Sequence, residues 1–189
     1  MTVHDCVKFA AESLGLDAVA QVLTEKTPLS GLNASDEREY KLLLSCARAV
    51  LLEIAAEFVP LTRTANVAAR NGKIPYADIS KDLVEIISVK KAGRAVLFSS
   101  DYDGAHVFSD GIFEVTYAFL PNTENPDAAL AYANGKVNAR NAGYGVAAEY
   151  CIRTGQTDDA ALWDKRYKDA MVAAAVRRRE SCVARRRWL

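Results

Sequence analysis

Apolar side chains recur at helical spacing through the first sixty residues. Val3, Val7, Ala10, Ala11 and Leu14 fall three or four apart, with Thr2 placed to cap the start and Gly15 placed to stop the run. That spacing predicts a helix over 3–14, and a short second one follows over 17–24. Ser35 then heads SDEREYKLLLSCARAVLLEIAAEFVP, with acids crowding the first turn and Pro60 as the stop. Its stripe runs through Tyr40, Leu43, Leu44, Ala47, Leu51, Ile54, Ala55 and Phe58. Apolar residues spread over more than one face, so this is expected to be the central, deeply buried helix.

At Leu61 the period changes. In FEVTYAF, Phe113, Val115, Tyr117 and Phe119 alternate with Glu114, Thr116 and Ala118, the period-two pattern of a half-buried strand. KKAG at 90–93, DYDG at 101–104 and SDG at 109–111 are turn signals separating VEIISV, AVLFSS, AHVF and IFEVTYAFL. They predict an antiparallel meander with tight hairpins, and LTRTANVAA at 61–69 is expected to join that sheet late. PNTENPD reads as a polar, proline-bracketed linker.

The helical period then returns. Residues 139–154 carry Gly143, Ala147 and Cys151 at a spacing that lets another helix approach closely, and Gly155 ends the run. Asp158 is placed to cap a helix over 158–179, with Trp163, Tyr167, Ala170 and Ala174 as its stripe. Tyr150, Trp163 and Tyr167 are therefore expected to pack between helices. The fold class is α+β: a four-to-five-helix bundle from 1–60 and 122–180, an inserted antiparallel β-domain over 61–121, and an extended basic C-terminal tail over 181–189.

The chain has 189 residues, half of them apolar and a quarter charged, enough for one sizeable core. It has no apolar run long enough to cross a membrane, and acids interrupt its first residues, so an intracellular product with no membrane partner is expected. Cys6, Cys46, Cys151 and Cys182 lie far apart without CxxC spacing, and buried free thiols are the favoured reading. The net charge of zero hides a dipole. Of the 24 bases and 24 acids, residues 165–189 hold nine bases and two acids, net plus seven, which leaves 1–164 at minus seven.

Catalytic constellations are not in view. DYDG lacks the further oxygen ligands of a calcium loop, and its aspartates and glycine suit a hairpin turn. His4 and His106 are the only histidines, and neither sits in a zinc or nucleophile spacing. No GxGxxG, Walker or GxSxG sequence occurs, so no enzyme, metal or cofactor is expected. Two readings compete for the C-terminal arginines. Arg177, Arg178, Arg179, Arg185, Arg186 and Arg187 could neutralise phosphates, making a small nucleic-acid-binding protein, or could pair with acids of a partner protein while Trp188 and Leu189 fill an apolar pocket.

The stretch YGVAAEYCIRTGQTDDAALWDKRYKDAM, from Tyr144 to Met171, resembles the C-terminal half of the head-to-tail connector (adaptor) proteins of tailed bacteriophages, the group that includes the tail tubular protein A of short-tailed phages. EFVPL, IISVKK, AVLFSS and DGIFEVTYAFLP are similar in order and spacing, so the likeness covers residues 40–189. It implies a structural protein of the virion, made in the host cytoplasm, in a ring of about twelve copies beneath the portal with DNA passing through its centre. The bundle and the tail of Arg177–Arg179 and Arg185–Leu189 would face the portal protein. The β-insertion, with its turns at Asp101, Asp103, Gly104, Asp110 and Gly111, would face the next tail or nozzle protein.

Overall fold

In the structure, a computed structural model, residues 1–130, 132 and 137–175 are described. Helix α1, Val3–Leu14, starts on a capping box: Thr2 Oγ1 accepts the Asp5 N–H, and the Asp5 carboxylate accepts the Thr2 N–H at 2.7 Å. Gly15 closes it in the left-handed region at φ 72°, as its lack of a Cβ allows. Helix α2, Asp17–Glu25, runs one residue beyond the expectation. Helix α3, Ala34–Glu53, is capped by Asn33 rather than Ser35: the Asn33 side chain accepts from both the Ser35 and Asp36 N–H groups. Its last stretch, Ile54–Phe58, widens into a π turn closed by the Val59 N–H on the Ile54 carbonyl at 2.8 Å.

Helices α5, Ala139–Arg153, and α6, Thr157–Ala175, complete the helical layer. The single-turn helix Tyr76–Ile79, within the β-rich segment, is α4. α6 starts at Thr157, two residues earlier than an Asp158 cap requires. The small residues of α5 act as expected: a Cβ on Gly143 would lie 2.4 Å from Phe9 Cδ1 of α1. Tyr40, Leu43, Cys46, Ala47, Val50, Leu51, Ile54 and Ala55 of the central helix are buried against α1, α5 and α6, while Leu44 and Phe58 are only partly covered.

The segment after residue 121 is not a free linker. Arg48 donates to the Thr123 and Glu124 carbonyls, each at 3.2 Å, and the His4 N–H donates to the Pro126 carbonyl at 3.1 Å. The Leu130 N–H then meets the Met1 carbonyl at 2.9 Å. These bonds hold the chain along α1 and α3.

The strands are β1 Leu61–Ala69, β2 Lys73–Pro75, β3 Leu83–Lys91, β4 Arg94–Val96, β5 Ser99–Ser100, β6 Gly104–His106 and β7 Gly111–Phe119. All pairings are antiparallel, but the order is not a meander. One sheet runs β1-β7-β3-β4 and a second runs β2-β6-β5. KKAG does close a hairpin between β3 and β4, and DYDG one between β5 and β6. SDG instead carries the chain from one sheet to the other. AVLFSS splits: Val96 and Phe98 both pack on the apolar centre between the sheets, and the chain changes sheet there. That centre, around Val67, Ile74, Val89, Phe113 and Val115, is separate from the helical core.

Candidate protein-docking surface

Turns bounding the small sheet hold three large side chains out in solvent. Leu97 is 80% exposed, Tyr102 96% and Phe108 89%. Tyr102 and Phe108 sit on backbone held by hydrogen bonds. Phe108 follows Val107, which is buried and whose N–H donates to the Gly72 carbonyl at 2.8 Å. It precedes Ser109 and Asp110, whose Oγ and carbonyl both accept from Lys91 Nζ, at 2.9 and 2.7 Å. The Asp110 carboxylate accepts the Gly72 N–H at 2.7 Å, so the 107–110 loop is pinned at both ends to the β1–β2 turn. Gly111 follows at φ 131°, a region that glycine tolerates, and a Cβ there would meet the end of the Lys91 side chain.

Tyr102 rides the β5–β6 hairpin. The Asp101 N–H donates to the Gly104 carbonyl at 2.9 Å, and the Asp101 carboxylate accepts the Tyr102 N–H at 2.6 Å and lies 3.4 Å from His106 Nε2. The Tyr102 N–H, then His106, hold the Asp101 carboxyl below its ordinary value. Asp103 pairs with Lys73, its carbonyl accepts the Tyr76 N–H, and Tyr76 Oη donates to the Asp101 carbonyl at 3.0 Å. At Gly104 a Cβ would come within 2.6 Å of the Ile74 carbonyl oxygen, so close approach to β2 demands glycine there.

Leu97 and Phe108 flank a shallow apolar cavity of about 180 Å³, completed by Phe98, Ser99, His106 and Val107. Exposed apolar side chains on pre-ordered turns are the anatomy of a docking surface: they lose little entropy on binding and gain burial. Asp101, Asp103 and Gly104 shape the β5–β6 hairpin and Asp110 and Gly111 the β6–β7 loop, two separate turns in which they support backbone rather than line the cavity. The exposure of Leu97 and Phe108 escaped the sequence pattern, because both read as strand residues in AVLFSS and AHVF.

The other expected site residues lie elsewhere. Tyr167 is buried, edge-on to Phe58 with ring centres 5.9 Å apart, and its hydroxyl donates to Glu53 Oε1 at 3.2 Å. Tyr150 is buried and donates to Glu39 Oε2 at 2.6 Å, burial above all raising its hydroxyl pKa. Trp163 is half-buried, stacked on Tyr144 at 5.8 Å with the Arg166 guanidinium 4.9 Å over its ring. All three sit in helix packing. Arg177, Arg178, Arg179, Arg185, Arg186, Arg187, Trp188 and Leu189 lie outside the described residues.

A larger cleft, about 640 Å³, opens between α1, α2 and Asp127. Its polar groups largely satisfy one another: the His4 Nδ1–H donates to Asp127 at 2.8 Å, His4 Nε2 meets the Tyr40 hydroxyl at 2.8 Å, and Lys8 faces Glu12. Among the described residues no group of three or more His, Cys, Asp and Glu could hold a metal ion, and no helix is long and apolar enough to cross a membrane. Cys6, Cys46 and Cys151 are buried free thiols.

Fold and surface together define an α+β protein with large side chains exposed at the turns of its β-layer. No protein-family model matches the chain, and no curated protein matches it.

Proposed function

We propose that this chain is a structural assembly protein, a head-to-tail adaptor of a tailed bacteriophage that docks on other virion proteins and does no chemistry of its own. The observation that carries the reading is the solvent-exposed trio Leu97, Tyr102 and Phe108, with Tyr102 and Phe108 on turns that hydrogen bonds hold in place. A partner protein meets such a rim with an apolar groove of its own, which is the role expected of the next tail component. The resemblance over Tyr144–Met171 supplies the rest of the reading: a ring of about twelve copies around a DNA channel, with the arginine-rich end toward the portal.

Electron microscopy of the concentrated protein, and of particles carrying it, tests this. Rings with a central hole are the expected result. A chain that stays monomeric, is absent from particles and binds random duplex DNA at micromolar concentration with a steep salt dependence would overturn it in favour of a nucleic-acid-binding protein.

A further inference from the structure

Among the described residues β1 pairs with β7 alone and has no strand on its other side. Its nine residues run from Leu61 opposite Phe119 to Ala69 opposite Gly111 without a bulge. Soluble proteins blunt such edges with proline, lysine, bulges or short length, because an open row of N–H and C=O groups recruits another strand. LTRTANVAA has no proline and no lysine. Its one charge, Arg63, is drawn back over the Phe119 ring at 4.0 Å, across the sheet rather than outward. β3, in the sheet interior, carries two register shifts, so the irregularity that would protect an edge sits where none is needed.

The opposite margin of the same sheet is β4, which pairs only with β3. Strand direction makes the two margins complementary. With four strands, all antiparallel, β4 runs opposite to β1. A second copy brought alongside by rotation about an axis that runs along the strands keeps its β1 direction, so its β1 meets β4 in the antiparallel sense, and the operation repeats from copy to copy. Exposed apolar side chains stand near both margins: Leu97 directly after β4, and Ile112, 70% exposed, on β7 opposite Ala68 of β1.

We propose that the β1 edge is the contact between subunits, taken by β4 of a second copy, so that the sheet continues around the assembly. This names the contact within the ring-forming reading above and rests on it. Hydrogen–deuterium exchange of the full chain, dilute and at assembling concentration, reads it directly. The outward-facing amides of 94–96, and those of the part of 61–69 that the three residues of β4 cover, are expected to slow about tenfold or more on assembly, while amides of β7, already paired on both sides, stay unchanged. Ala95→Lys, an exposed change that adds an edge lysine, is expected to lower assembly about tenfold at fixed concentration without altering circular dichroism.

Rings that form with neither edge protected would overturn the strand contact and leave the adaptor reading standing. A closed dimer with only β1 protected would overturn it in favour of β1 pairing with itself. A chain monomeric at every concentration would overturn both the contact and the ring.

Discussion

At Gly143 and Gly145 the helical layer is packed without tolerance. A Cβ on Gly145 would lie 2.8 Å from Val50 Cγ1 and 2.9 Å from the Tyr167 ring, all in the core. Alanine normally improves a helix by about 1 kcal/mol over glycine. Here overpacking, about 1–3 kcal/mol, opposes that gain and exceeds it, so Gly145→Ala is expected to lower the melting temperature measured by circular dichroism. Beneath the same ring lies Glu53. Burial above all raises its carboxyl pKa, neighbouring Glu57, Glu149 and Asp164 add to the rise, and the Tyr167 hydroxyl opposes it. Between the ordinary glutamate value and that raised one, the folded chain binds more protons than the unfolded chain, so this group's contribution to stability is present at low pH and lost as pH rises through the window. Glu53→Gln keeps an acceptor for Tyr167 and should remove that fall, making stability vary less with pH across the window; identical slopes in the two proteins would refute the assignment. The thiols make a third case: burial pushes Cys6 up to about 12 and Cys46 up to about 11, so both should resist alkylation in the native Cys182→Ser variant and react once it is unfolded.

The β6–β7 loop is the element whose loss would separate display from folding. Asp110 holds the Gly72 N–H from a solvent-exposed position, so Asp110→Ala should cost only about 1 kcal/mol of stability. Amide exchange of residues 107–111 should rise, and binding through Phe108 should weaken more than the melting temperature falls, because order at the rim is lost first. Asp110 was legible as a turn residue, and so were Asp101, Asp103, Gly104 and Gly111, since turn chemistry is local. The helices were legible for the same reason: Thr2, Gly15 and Gly155 punctuate continuous stripes. The π turn at Ile54–Phe58 was not, since Ile54, Ala55 and Phe58 also satisfy an α-helical stripe and nothing local marks the extra residue. Strand order was hidden too. β1 and β7 pair across most of the β-layer, Leu61 with Phe119, and that choice comes from which apolar faces can close together, which alternation alone does not encode. The outward turn of Leu97 and Phe108 was lost in the same way: a strand pattern says that side chains alternate, not that one of the two faces is left uncovered.

For the whole molecule, charge and core are divided along the chain in different ways. The helical core closes with Tyr167 and Met171, and Ala174 is the last buried side chain described, so a chain ending at Ala175 keeps them all and should melt within a few degrees of the full chain. Its charge does not survive the cut. Residues 176–189 hold six arginines and one acid, so their removal takes the chain from a net charge of zero to minus five. Full-length copies can set a basic end against an acidic body, an attraction that added salt screens over a Debye length of about 8 Å at physiological strength. Truncated copies, all acidic, repel, and salt relieves that repulsion. Sedimentation at low and high salt should therefore show opposite trends: self-association of the full chain weakening with salt, and that of the truncated chain strengthening from a lower starting level. Portal attachment, if the arginines carry it, should vanish on truncation while the fold remains. Parallel salt trends in the two chains would mean that the dipole does not direct assembly, and unchanged attachment would remove the arginine-rich end from the docking role.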